Sequence, residues 1–76
     1  MSQAEKTPSL AVAAALEDFK AKVLAATGRN ALAREVENFS GQVETALAHR
    51  LPVIVQMGLC DFQTLDGKAT IIECRA

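Results

Sequence analysis

A segment that nearly repeats itself constrains this chain more than any other feature. Val12, Leu16, Phe19, Val23 and Ala26 follow one another at spacings of four, three, four and three. Leu32, Val36, Phe39, Val43 and Ala46 repeat those spacings twenty residues later. Apolar residues at alternating intervals of three and four fall along one side of an α-helix. The pattern predicts two helices, each with a narrow apolar seam and a phenylalanine near its middle. About two heptads per helix are too few for an extended coiled coil. The seams are therefore expected to meet inside the chain as a helical hairpin, with a four-helix arrangement across a dimer as the larger alternative.

Local signals set the boundaries. Residues 1–6 are polar and expected to fray. Thr7-Pro8 is a helix start, since Thr caps free backbone N–H groups and Pro suits the first helical position. The first helix is expected to run to about Thr27 and to end at Gly28, where glycine takes the left-handed conformation cheaply. Asn30 is the expected cap of a second helix running to about Arg50, closed by Pro52. The helical hairpin thus covers residues 8–51, joined by a short connection over Gly28–Asn30 that forces the helices antiparallel. Ser40-Gly41 in mid-helix needs either a packing reason or a bend, or is a tolerated defect.

Residues 53–75 change character. Leu59–Leu65 and Lys68–Cys74 flank Asp66-Gly67, a dipeptide suited to the positive φ angles of a two-residue hairpin turn. An uninterrupted register from that turn opposes Leu65 to Lys68, Phe62 to Ile71, Cys60 to Glu73 and Leu59 to Cys74. It puts Cys60, Phe62, Thr64, Ala69 and Ile71 on one face, with Glu73 at its end. Leu59, Asp61, Gln63, Leu65, Lys68, Thr70, Ile72 and Cys74 then share the other face. The first face is expected to cover the helices. Val53–Met57 either adds a third strand or bends into the hairpin at Gly58. The fold class is α+β: an antiparallel two-helix hairpin followed by a C-terminal β-hairpin, with two or three strands, in a single small domain.

Charge and composition exclude several functions. The 76 residues carry a net charge of −1, with 8 basic and 9 acidic residues. At a pI of about 5.7 there is no basic patch for nucleic acid. The uncharged stretches Thr7–Leu16 and Leu51–Cys60 are too short to cross a membrane, which takes about 20 residues. A signal-like reading of Leu10–Leu16 is disfavoured by the preceding Glu5-Lys6 and by its continuation into the first amphipathic helix. A cytoplasmic location is expected, and with it free thiols at Cys60 and Cys74.

Chemistry-bearing motifs are sparse. Cys60, Cys74 and His49 lack the paired spacing of a structural zinc site. No glycine-rich phosphate loop is present, so neither cofactor nor metal is expected. A Cys60 nucleophile served by His49 and Asp61 has the right residue types, but Cys60 and Asp61 alternate across a strand and point apart. The two expected cysteine faces depend on the register, since a one-residue slip would reverse them.

Half the residues are hydrophobic in a chain too short to hide them all well. A small sheet leaves open edges, and the last strand is guarded only by Lys68, Glu73 and Arg75. These features point to a non-enzymatic protein–protein interaction module, a small regulator or inhibitor that occludes a larger protein partner, as a homodimer. The candidate interface residues are Leu59, Leu65, Ile72 and Cys74 on the sheet. Arg29 and Arg34 join them from a basic rim, with Lys20 and Lys22, at the helix–helix loop. The competing reading is a small thiol-dependent enzyme or redox sensor centred on Cys60.

Overall fold

A computed structural model describes residues 10–75. Helix α1 spans Leu10–Thr27 and α2 spans Ala33–Ala48; strands β1 (Val53–Gln56), β2 (Cys60–Leu65) and β3 (Lys68–Cys74) follow. The strands form an antiparallel sheet in the order β1-β2-β3. This is the expected α+β arrangement, and Val53–Gln56 takes the third-strand alternative. The expected frayed end and the Thr7-Pro8 start lie outside the described residues.

The seams meet as their spacing requires except at Leu32, which precedes α2 and is exposed. Phe19 and Phe39 stack with ring centroids 4.2 Å apart and planes 11° from parallel. Phe62 of β2 meets Phe39 edge-on at 5.3 Å and 75°. All three rings are fully buried, with Val23, Val43 and Cys60 packed among them. Aromatic pairs prefer offset stacks and edge contacts because ring faces are negative and ring edges positive. The helices cover one face of the sheet, formed by Cys60, Phe62, Thr64, Ala69 and Ile71 as expected; α1 packs mainly along β3. Thr64, a polar side chain buried in that core, is satisfied. Its hydroxyl donates to the Leu51 carbonyl and accepts from the Val53 N–H, both at 3.3 Å.

Both ends of α2 differ from the sequence reading, while the end of α1 does not. Gly28 closes α1 with φ 77° and an N–H bonded to the Leu24 carbonyl at 2.9 Å, as expected. The connection then extends to Leu32, and α2 starts at Ala33 rather than after Asn30. The reason is Glu35, whose carboxylate accepts the Leu32 N–H at 2.8 Å and so supplies the cap that Asn30 was expected to give. Ala31 meanwhile packs on the core from within this connection. At the other end α2 stops at Ala48, and Arg50 takes a left-handed φ of 61° before Pro52.

The hairpin turn is the expected two-residue one, with φ 53° at Asp66 and 76° at Gly67. Beyond Phe62–Ile71, however, the register shifts. Asp61 pairs with Glu73 and Cys60 with Cys74, leaving Ile72 as the extra residue of a β-bulge. The bulge turns Glu73 out to solvent beside Asp61 and brings Cys74 to Cys60. An uninterrupted register would have placed the Glu73 carboxylate on the helix-covered face, where a charge is costly.

Gly41 proves to be a tolerated defect. Helix α2 runs through it, and a Cβ there would meet nothing within 4 Å. Gly41→Ala is therefore expected to stabilise the fold by about 0.5–1 kcal/mol. Thermal unfolding should show Tm rising by roughly 2–8 °C for a domain of this size; an unchanged or lower Tm would place a contact or bend at this position.

Candidate interaction face

Among the described residues, no element covers the second face of the sheet. Strand alternation places Ile54 and Gln56 of β1, Asp61, Gln63 and Leu65 of β2, and Lys68, Thr70, Ile72 and Glu73 of β3 there. Three large apolar side chains stand out from it: Ile54 is 67% exposed, Leu65 51% and Ile72 50%. Ile54 sits directly opposite Gln63, and Gln63 opposite Thr70, so the apolar groups surround a polar centre. Leu65 and Ile72 lie where the sequence reading put them. Ile54 is a member that reading missed, although the alternation of Val53-Ile54-Val55 carries the signal once the third strand is accepted.

The other four candidates lie elsewhere. Leu59 is half-buried and packs against the core. Cys74 is bonded to Cys60 in a disulfide, with Cα atoms 4.0 Å apart. The expectation of free thiols on opposite faces is thus overturned, because the bulge at Ile72 brings the two cysteines into direct opposition. No cysteine is left free, and Cys60 is fully buried. Asp61 does not orient His49; its Oδ2 accepts from the Arg75 guanidinium at 2.6 Å. Arg75 also donates to the carbonyls of Met57 and Gly58, at 3.2 and 3.0 Å, and its N–H bonds to the Leu59 carbonyl at 2.9 Å. Arg75 and the disulfide together clasp the end of β3 to the β1–β2 connection. Nothing in the sequence marked this role for Arg75, since it depends on the chain reversing at Gly58.

Arg29 and Arg34 belong to the helix–helix loop and the start of α2, in the helical layer, away from the open sheet face. The expected basic rim is largely neutralised. Lys20 lies 3.7 Å from Glu17 and Lys22 2.8 Å from Asp18 along α1. Arg29 forms a two-pronged pair with Glu35, both bonds 3.0 Å. That pair pulls the Glu35 carboxyl down to about 2, first through the Arg29 hydrogen bonds and next through the Leu32 N–H, with the Arg29 and Arg34 charges adding to it.

Among the described residues no group of three or more His, Cys, Asp or Glu could hold a metal ion. No helix there is long and apolar enough to cross a membrane. The chain matches no protein-family model, no curated protein and no solved structure. The uncovered face is therefore judged on its own chemistry: apolar side chains around hydrogen-bonding ones, with charges at the rim.

Two predictions test the local chemistry. The folded Glu35 titrates below the ordinary carboxylate value of about 4.3, so its contribution is present above that pH and lost as pH falls toward 2. The Tm gap between the native chain and Glu35→Gln should be constant above about pH 5 and close between about pH 4 and 2. A gap that does not change with pH would remove the ion pair from the folded state. For the disulfide, iodoacetamide should add no mass to the unreduced chain and two adducts after reduction. The double variant Cys60→Ala/Cys74→Ala should lose about 2–4 kcal/mol in denaturant unfolding, as for closure of a loop of this length.

Proposed function

We propose that this chain is a non-enzymatic protein–protein interaction module, a small regulator or inhibitor that binds a larger protein and occludes one of its sites, and that it does so as a homodimer. The observation that carries the reading is the uncovered sheet face with Ile54, Leu65 and Ile72 standing out of it. Three large exposed apolar side chains set around hydrogen-bonding ones on one sheet face resemble the mixed apolar and polar make-up of protein–protein interfaces. A partner suited to this face offers apolar side chains to the three anchors. It also offers hydrogen-bonding groups to Gln63 and Thr70. The rim charges Lys68 and Glu73 would set orientation more than affinity.

The bulge contributes to this face. It turns Ile72 out of the β2–β3 ladder, and the clasp at Cys60–Cys74 and Arg75 holds that end of β3 in place. Anchors on a braced sheet lose little conformational freedom on binding, which favours affinity. The Cys60-centred reading has less support: the sulfur is buried and bonded, and Asp61 is engaged by Arg75.

Affinity capture from the native host, comparing the native chain with Leu65→Asp and Ile72→Asp, tests the reading. Both substitutions are at exposed positions and should leave the fold intact by circular dichroism. The native chain should retain a larger protein that each variant loses at least tenfold, and adding the native chain should suppress that protein's activity. Equal retention by the variants, or binding with no loss of the partner's activity, would overturn the reading. Intact mass of the chain recovered from the host would show whether it is oxidised there.

A further inference from the structure

We propose that two copies of this chain join through their β1 strands, edge to antiparallel edge, about a two-fold axis at Val55, giving a continuous six-stranded sheet. This rests on the homodimer half of the preceding reading and is independent of the larger partner.

The hydrogen-bond ladder identifies the free groups. A two-residue turn makes Leu65–Lys68 a hydrogen-bonded pair, so alternation directs Gln63 toward Thr70, and Phe62 and Thr64 toward β1. Val53 and Val55 then bond to β2, while Ile54 and Gln56 turn their N–H and C=O groups away from the sheet. Beyond the strand ladder, none of the backbone bonds among the described residues uses Ile54 or Gln56. Such an edge is a template for another strand.

Of the two edges, β1 is the unguarded one. No charge occurs from Leu51 to Cys60. The β3 edge carries Lys68 and Glu73 and has α1 packed along it. Absence of charge matters most near a two-fold axis, where each residue approaches its own copy and like charges would repel.

The strand is also complementary to itself. With the axis at Val55, Ile54 opposes the partner's Gln56 and Gln56 opposes the partner's Ile54. These are the residues with free backbone groups, so they form two hydrogen-bonded pairs. Val53 comes opposite the partner's Met57, and all opposed residues share a face. On the helix-covered face Phe62 and Thr64 of β2 are buried, whereas Val53, Val55 and Met57 are only half-buried. Lying on the edge strand, they have room for further burial, which the partner's Val55 and Met57 would supply.

Sedimentation equilibrium and oxidative cross-linking of three variants test this contact. Sedimentation equilibrium of the native full chain should give a dimer, and Ile54→Lys, an exposed substitution, should raise its dissociation constant at least tenfold. Val55→Cys places two thiols in a non-hydrogen-bonded pair with Cα atoms about 4.5 Å apart, within disulfide reach. Gln56→Cys leaves its copies about 8 Å apart, beyond that reach. Mild oxidation should therefore link Val55→Cys into a covalent dimer and leave Gln56→Cys unlinked; both native cysteines are already engaged. A native chain that stays monomeric at millimolar concentration would overturn this contact and the homodimer reading together. A dimer indifferent to Ile54→Lys and unlinked at Val55→Cys would overturn the β1 contact while leaving a homodimer standing.

Discussion

Phe39 is the side chain on which the rest of this structure depends. It stacks on Phe19 of α1 at 4.2 Å and meets Phe62 of β2 edge-on at 5.3 Å, so one ring joins the two helices and ties both to the sheet. A small domain has few other fully buried large groups to share that task; here they are Val23, Val43 and Cys60. Loss of a buried phenylalanine commonly costs about 3–5 kcal/mol, a large part of the stability a domain this small can have. The ring stack also decides what stays outside. It holds both helices against one sheet face, and among the described residues no element covers the other.

The far end of the sheet is secured by different chemistry. There the core gives way to the Cys60–Cys74 disulfide, and the Arg75 guanidinium gathers Asp61, Met57 and Gly58. Both depend on the bulge at Ile72, which changes the pairing of the last residues of β3. The bulge keeps a glutamate out of the apolar layer and brings two cysteines together. It also leaves Ile72 on the open face. One irregularity thus links the covalent staple to the surface through which we propose the chain acts. The outer face and the β1 edge meet at Ile54, so a dimer formed at the edge would join two copies of the face and leave Leu65 and Ile72 of each open.

Periodicity made the helical part legible. Apolar residues at three- and four-residue steps can be buried together only on a helix, so the seams and their central phenylalanines follow from the chain alone. Asp66-Gly67 likewise demands its turn, because few other dipeptides accept two positive φ angles. These are local rules, and the structure obeys them at Val12, Phe19, Val23, Phe39, Val43 and Ala46 and at the turn. Leu65 and Ile72 were legible as outward-facing for the same reason, since they follow from strand alternation near a well-defined turn.

The rest required residues distant in sequence to meet. The start of α2 was decided by Glu35 reaching back to Leu32 and Arg29, a competition that Asn30 alone could not reveal. The bulge was decided by the cost of an inward Glu73, which exists only once helices cover that face. The disulfide, the Arg75 clasp and the exposure of Ile54 followed from the bulge, the reversal at Gly58 and the third strand. Local propensity and spacing set the elements, their faces and the turn. Burial, which only the assembled layers create, set the register of the last residues of β3, the state of both cysteines and the surface left open.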